Sequence, residues 1–225
     1  SSPEISHTDS SLEALKFERL SASMREQRDQ EPFRSFADLQ RAHIEGVDYR
    51  VEERRGALNL LCAAWHGGRM EVGSDILASA IAGSRFHYYA FNALIPHSGR
   101  GDHPLHITSI RFDEPRLLRI AQKSELVVAI HCCSTAEGSR RIFVGGGAWD
   151  GIKGDLIESL RSYDFNAGPD RLFPGLHPSN PCNRGKRPGI QIEIPQDYMH
   201  GLLAHPERFE CLVGILGNFL MKIAP

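Results

Sequence analysis

The sequence predicts an α/β protein, a three-layer α/β/α sandwich in which a central mixed sheet lies between two layers of helices. Nearly unbroken apolar runs, typical of strands buried on both faces, end at Trp65 and His131. Segments with helical spacing of apolar residues alternate with these runs. With 225 residues, of which 41% are hydrophobic, the chain is long enough to bury one such core.

We expect the folded domain to span residues 33–225. The segment before it, residues 1–32, is polar and rich in charge, and contains only a few scattered apolar residues. Such a composition is typical of a loosely ordered arm or of a short amphipathic helix packed on a domain. No function is expected there.

The first half of the domain begins with a helix at residues 33–44, where apolar residues recur at helical spacing. The charges of residues 49–54 indicate an edge strand with one face in water. A buried strand follows at residues 57–65, and a short-residue, aliphatic helix at 72–81. The alternating aromatic residues at 85–92 indicate another strand.

In the second half, Asp113 and Glu114 precede Pro115, a favourable start for a helix. Strict alternation of isoleucines with polar residues characterises the last strand. The remaining helices are expected at residues 115–123, 150–162 and 205–222, and the remaining strands at residues 125–131, 141–147 and 188–194.

Two long loops, residues 95–104 and 166–187, are rich in Gly, Pro and polar residues. Such loops often carry function, so His97 and His103 in the first are minor site candidates. The glycine run at residues 145–147 lacks both the GxGxxG and the GK[ST] phosphate-loop patterns. Nucleotide binding is therefore the weakest functional hypothesis.

The strongest chemical signal is the stretch from His66 to Glu71, where two glycines follow a buried strand and a helix comes next. Ligands bind at the carboxyl edge of α/β sheets, and glycines allow a sharp turn. His131 ends a second buried strand in the same way. Glu193 lies within an apolar strand, where a carboxylate is costly unless it is paired or near a metal.

These four groups are expected at one sheet edge, and their chemistry is that of a catalytic zinc site. Two imidazoles and one carboxylate hold zinc and leave one position open. A second carboxylate that does not bind the metal can transfer protons as a general base. The alternative is a solvated His and Glu beside a glycine turn, or a core histidine bonded to a backbone carbonyl.

The sequence resembles the poly-γ-glutamate hydrolases, zinc enzymes of bacteriophages and bacteria that are similar in fold to zinc carboxypeptidases. The resemblance covers the chain from about Phe36 to its end. The motifs that carry it, in chain order, are His66-Gly-Gly-Arg-Met-Glu71-Val-Gly, Leu105-His-Ile-Thr-Ser, Phe112-Asp-Glu-Pro115, the strand ending at His131, Asn183-Arg184 and Gln191-Ile-Glu193-Ile.

This resemblance implies that His66, Glu71 and His131 bind Zn²⁺ and that Glu193 is the general base. It also implies cleavage of the γ-amide bonds that join glutamates in a polymer. Because this polymer is polyanionic, Arg184 is the predicted carboxylate clamp. Asn183 is predicted to add a second substrate-binding donor.

Composition gives few further constraints. A formal net charge of −2 gives no reason to expect nucleic acid as a partner. No apolar run approaches the ~20 residues of a membrane span. The five cysteines are odd in number and favour reduced thiols, hence a cytoplasmic location. Secretion after loss of a leader segment is the alternative, because the chain begins without Met.

We expect a monomer that acts on an anionic γ-glutamyl substrate. Two other hypotheses stay open at this point. The first is a zinc carboxypeptidase or amidase that acts on another isopeptide or peptide. The second is a non-catalytic binding module with the same fold.

Overall fold

Seven strands form one mixed sheet in the computed structural model, which describes residues 31–99, 102–134 and 138–224. Their order across the sheet is β1-β3-β2-β4-β7-β5-β6. The central strands β3, β2, β4 and β7 are parallel, β1 is antiparallel to β3, and β5 is antiparallel to β7. The strands are β1 (Tyr49–Arg54), β2 (Leu58–Gly68), β3 (Phe86–Ala93), β4 (Leu126–Cys133), β5 (Ile142–Gly145), β6 (Ala167–Pro169) and β7 (Ile190–Pro195).

Helices cover both faces of this sheet. The helices are α1 (Phe36–Ala42), α2 (Ser74–Ala82), α3 (Pro115–Lys123), α4 (Asp150–Arg161), α5 (Gln196–Ala204) and α6 (Pro206–Ile223). One apolar cluster joins the sheet to α2, α4, α5 and α6, and a second joins its other face to α1 and α3. The predicted three-layer α/β/α sandwich with a mixed sheet is therefore confirmed.

The buried strands and the start of α3 follow from local sequence. Every residue of β4 is buried, and a strand covered on both faces is recognisable as a continuous apolar run. At the start of α3, the Glu114 carboxylate accepts the Leu117 N–H at 2.8 Å, and Pro115 occupies the first turn. Both features match the sequence prediction.

Strand direction determines where the candidate residues lie. Because β2, β4 and β7 are parallel, their carboxyl ends share one edge of the sheet. His66 lies near the end of β2, and His131 near the end of β4. Glu193 pairs in register with His131 on the neighbouring strand, where Cα atoms are ~4.8 Å apart. Glu193 is therefore on an interior strand, not an edge strand.

Some elements differ from the expectations. Strand β6 lies inside the predicted loop 166–187, because three residues are too few to give a periodic pattern. Helix α5 begins at Gln196, directly after Pro195 ends β7, and the sequence analysis assigned no helix to residues 196–204. The predicted arm, residues 1–32, lies outside the described residues apart from its last two. All five cysteines are free.

None of the helices in the described ranges combines the length and apolar character that crossing a bilayer requires.

Gly189 allows β7 to begin close against its neighbours. A Cβ at this position would lie 2.1 Å from the Val127 carbonyl oxygen and 2.2 Å from that of Cys182. We expect Gly189→Ala to lower the free energy of unfolding by ~2–4 kcal/mol, measured by urea denaturation. Gly214→Ala is the matched control, because that helical position is open and alanine should add up to ~1 kcal/mol. Equal effects of the two changes would contradict the packing argument.

Candidate active site

A tight turn after β2 brings Glu71 back beside His66. Gly68 has a φ of +68°, and a Cβ there would lie 2.5 Å from the Ala93 carbonyl oxygen. Only glycine fits this left-handed position against β3. The Glu71 N–H donates to the His66 carbonyl oxygen at 2.8 Å and closes the turn.

Three side chains meet at this turn. The His66 Nδ1 lies 2.9 Å from Glu71 Oε1, and the His131 Nδ1 lies 3.1 Å from Glu71 Oε2. The two imidazole centroids are 4.9 Å apart. Both histidines are almost fully buried, and Glu71 Oε2 also accepts the Cys132 N–H at 2.9 Å. The structure thus brings together the three residues predicted to bind a metal.

The hydrogen bonds of His66 test whether a cation fits. Its Nε2 lies 2.8 Å from the Ile107 carbonyl oxygen, which can only accept, so this nitrogen carries a proton. In a neutral imidazole, Nδ1 then carries no proton, and its lone pair faces a carboxylate oxygen. Two acceptors at 2.9 Å repel each other unless a proton or a metal ion lies between them.

Each imidazole lies at a coordination-like distance from Glu71, although the ligand atoms within 4.8 Å of one another are those of His66, Glu71 and His106. Two ligand atoms that each lie ~2.0 Å from a tetrahedral zinc ion are ~3.3 Å apart. Nδ1 of His66 and Nδ1 of His131 lie 2.9 and 3.1 Å from the two oxygens of Glu71. His131 Nε2 is buried without a hydrogen-bond partner among the described residues. The donor set fits zinc, which prefers imidazole nitrogen and carboxylate oxygen.

His106 is a second imidazole near this centre that the sequence reasoning did not select. Its ring centroid is 4.5 Å from that of His66, and ligand atoms of His66, Glu71 and His106 lie within 4.8 Å of one another. The signal was present, because His106 is part of the Leu105–Ser109 motif. The neighbouring Ile107 carbonyl anchors His66, and the Ser109 hydroxyl accepts the Trp65 indole N–H at 3.0 Å.

The carboxyl group of Glu193 is held by a buried chain of amides. Gln191 donates to Glu193 Oε1 at 3.1 Å and to the Phe173 carbonyl oxygen at 3.0 Å. Its own side-chain oxygen accepts from Asn180 at 2.9 Å. The Phe173 carbonyl can only accept, so the Gln191 amide has one possible orientation. Glu193 Oε1 is therefore always an acceptor, and a proton on this carboxyl group lies on Oε2.

The two carboxyl groups have opposite environments. Burial by itself raises the pKa of Glu71, but the facing His131 and His66 outweigh it and hold the pKa below its ordinary value. For Glu193, burial and then the charges of Glu71 and Asp170 raise the pKa well above its ordinary value. Asp170 is a second residue that the sequence reasoning missed, because it lies in an irregular loop without a pattern.

A cavity of about 440 Å³ opens over this centre. Glu71 lies in its wall, whereas His66 and His131 are buried behind it. The minor candidates His97 and His103 also line the cavity, but both ring nitrogens of His103 contact backbone groups of Ile95 and Leu105. Other lining residues are Asp102, His106, Cys133, Ser134 and Gln196.

The structure does not bring Arg184 and Asn183 to this cavity. Gly185, next to Arg184, packs on the carbonyl groups of residues 124 and 125, just before β4 begins. His131 is six residues beyond residue 125, ~20 Å further along β4 at 3.3 Å per residue. The Asn183 amide is used by backbone groups of Gly147, Gly175 and residue 177. The predicted carboxylate clamp is corrected on this ground.

The chain is similar to proteins of known sequence and structure. A family model described as poly-gamma-glutamate hydrolase matches residues 33–206. The UPF0714 protein YndL of Bacillus subtilis (strain 168) is 34% identical over 151 residues, which are 65% of this chain and 56% of YndL. The SPbeta prophage-derived UPF0714 protein YoqZ of the same strain is 35% identical over 141 residues, 60% of this chain and 48% of YoqZ. The chain thus spans about half the length of these curated relatives.

Two solved structures have the same fold. A bacteriophage poly-gamma-glutamate hydrolase superimposes with a TM-score of 0.76 at 22% identity, covering 85% of this chain and 97% of that chain. A zinc-free apo form of YNDL superimposes with a TM-score of 0.71 at 29% identity, covering 84% of this chain and 96% of that chain. The carboxypeptidase-like α/β/α architecture is therefore common to all three chains.

The raised pKa of Glu193 gives a pH-dependent stability in metal-free protein. In the unfolded chain this carboxyl group ionises near pH ~4.3, whereas in the folded chain it stays protonated to higher pH. The folded state then binds more protons, so its stability falls as pH rises, by up to ~1.4 kcal/mol per pH unit. Glu193→Gln removes this effect and should gain stability relative to wild type above pH ~4.3.

Urea denaturation between pH 4 and 8 measures this difference, with EDTA present. Glu158→Gln, an exposed change on α4, controls for the loss of one carboxyl group. A difference between Glu193→Gln and wild type that stays constant with pH would contradict the assignment.

Proposed function

The chain belongs to the poly-gamma-glutamate hydrolase family, and we propose that it is a zinc-dependent amidohydrolase that cleaves the γ-glutamyl amide bonds of poly-γ-glutamate. The observation that carries this proposal is the convergence of two buried imidazoles on both oxygens of Glu71, with Glu193 beside His131. The match to the family model over residues 33–206 supports the substrate.

We propose His66, Glu71 and His131 as the zinc ligands. The His66 Nδ1 and the His131 Nδ1 each face a different oxygen of the same carboxylate, so Glu71 links the two imidazoles, and one ion bound by all three requires the two Nδ1 atoms to move towards each other. When bound, zinc supplies a Lewis acid that polarises an amide carbonyl and acidifies a water molecule. The zinc-free description of the relative YNDL names the same metal for that protein.

Glu193 is the proposed general base, and its two oxygens then have different roles. Oε1 is held by Gln191, so Oε2 is the atom that takes a proton from the attacking water. The same oxygen then delivers this proton to the leaving amine, because a carboxyl group can act first as base and then as acid. In the metal-free protein, burial and the charges of Glu71 and Asp170 hold the pKa of this carboxyl group above its ordinary value, which favours the form that donates a proton.

His106 defines the competing ligand set. It lines the cavity, and its Nδ1 lies 3.9 Å from Asp102 Oδ2. A zinc ion held by His66, Glu71, His131 and His106 together would have no open position, as in structural sites. Zinc held by His66, Glu71 and His106 alone would keep an open position, and His131 would then lie outside the set. Because His131 contacts Glu71 Oε2 directly, we propose His131 as the third ligand and His106 as a residue that faces the substrate.

Zinc titration distinguishes the ligands. We expect one zinc ion per wild-type chain, and a loss of affinity of more than about 100-fold in Glu71→Gln and His131→Asn. His106→Asn is the matched imidazole control and should retain the affinity within a few-fold. Calorimetry gives the affinity, and a thermal melt checks it, because zinc at 1,000 times its Kd stabilises by ~4 kcal/mol.

A loss of affinity in His106→Asn as large as that in His131→Asn would assign the third ligand to His106. If no variant differed from wild type, the proposed centre would be abandoned.

The activity is tested by following the length of poly-γ-glutamate chains incubated with zinc-loaded protein. Wild type should shorten the polymer, and Glu193→Gln should reduce kcat by ~10²–10⁴-fold, the usual contribution of a general base. Its zinc affinity should be unchanged, because Glu193 is not a proposed ligand. Glu158→Gln serves as the surface control.

Zinc-loaded protein that leaves the polymer intact would refute the substrate. The same protein would then be assayed on α-linked peptides with a free carboxyl terminus, which separates a carboxypeptidase from a non-catalytic binding module.

A further inference from the structure

A second cavity adjoins the one over the candidate metal centre. Its volume is about 570 Å³, compared with about 440 Å³ for the first. Gly138, Ser139 and Asp197 line both cavities, so the two are continuous along the surface. A chain bound in the first cavity can therefore extend into the second, which no part of the proposed mechanism uses.

One cation of the second cavity is fixed by the fold. The Arg208 guanidinium donates to the carbonyl oxygens of Tyr163 at 2.9 Å and Asp164 at 2.7 Å. It also lies 3.6 Å from the centre of the Phe165 ring. The charge of this guanidinium also lowers the pKa of the Tyr198 hydroxyl, against the larger effect of burial, which raises it. This arrangement holds one wall of the cavity rigid and gives it a positive charge.

A second cation lies at the junction of the cavities. Arg140 is exposed and directly follows Ser139, which lines both of them. Among the described residues, Arg140 makes no hydrogen bond or ion pair, and its charge acts on the Tyr198 hydroxyl. A guanidinium that no protein carboxylate uses is available for the carboxylate of a ligand, which it can bind bidentately.

The second cavity is not uniformly positive. Asp164 and Asp197 line it together with the two arginines, so its net charge is close to zero. Asn166 and Tyr198 add an amide and a hydroxyl. This combination of two arginines, two aspartates, an amide and a hydroxyl fits a chain that carries one carboxylate per residue, with amide groups between successive carboxylates.

We propose that this second cavity is a substrate subsite, which binds the carboxylate of a γ-glutamyl residue beyond the two that flank the bond being cleaved. Arg140 contacts this carboxylate, and the wall that contains Arg208 and Tyr198 limits where the bound residue can lie. This inference rests on the proposed function. It implies that long chains bind better than short ones, because only long chains occupy both cavities.

The test compares Arg140→Ala with wild type on a two-residue γ-glutamyl substrate and on long poly-γ-glutamate. KM for the long chain should rise about 5- to 10-fold, while kcat and the KM for the short substrate change less than about two-fold. Arg140→Lys should recover part of the loss, since it keeps the charge without the bidentate geometry. Added salt should reduce the difference.

Arg55→Ala is the matched control, because Arg55 is exposed just before β2, at the opposite edge of the sheet. An equal change for both substrate lengths, or no change in Arg140→Ala, would overturn the subsite while the proposed function stands.

Binding measurements separate the two proposals if no γ-glutamyl chain is cleaved, an outcome that refutes the proposed function. A fluorescently labelled γ-glutamyl oligomer is then titrated onto zinc-loaded Glu193→Gln protein, with and without Arg140→Ala. A loss of affinity confined to the Arg140→Ala protein supports the subsite, and unchanged affinity overturns it.

Discussion

The Glu71 carboxylate, held between two buried imidazoles, is the constraint on which the arrangement of this protein depends. The Ile107 carbonyl oxygen fixes the proton of His66 on Nε2, which directs a lone pair at Glu71. A buried anion that faces a lone pair is unfavourable unless a proton or a metal ion lies between them. The turn at Gly68 and the parallel strands β2 and β4 nevertheless enforce this arrangement. The fold thus places in one spot the groups that a metal ion would neutralise.

The second carboxylate has the opposite requirement. Glu193 lies on β7, the strand next to β4, and the other face of β7 is packed with isoleucines. Desolvation there favours the protonated form, and Gln191 restricts the proton to one oxygen. Two carboxyl groups at the same sheet edge therefore have pKa values displaced in opposite directions by their surroundings. Such separation is what a ligand and a proton carrier each require.

The sequence was sufficient for the centre of the fold and for the residues at the ends of its strands. A strand buried on both faces is recognisable from a few consecutive apolar residues. His66, His131 and Glu193 could therefore be placed on such strands. The direction of β5 was not available from the sequence. Because β5 runs antiparallel to β7, the chain around Asn183 and Arg184 returns to the amino edge of β4. Arg184 was selected because a polyanionic substrate needs a cation, and that argument holds no information on which edge of the sheet the residue occupies.

The motifs of the family resemblance combine residues with quite different physical roles. Within residues 105–109, a backbone carbonyl anchors His66, a hydroxyl supports Trp65, and His106 faces the cavity. A few residues later, Asp113 accepts the backbone N–H of Phe36, and Glu114 caps α3 and accepts the Tyr89 hydroxyl.

Within the described part of the chain, the hydrogen bonds of Asp113 and Glu114 are to Phe36, Tyr89, Arg116 and Leu117, none of which lines the cavity over the candidate centre. They hold the segment that follows residues 105–109 in the chain. A motif of this kind is therefore not a list of catalytic groups. Its residues act together because one misplaced carbonyl would release the imidazole on which the metal centre depends.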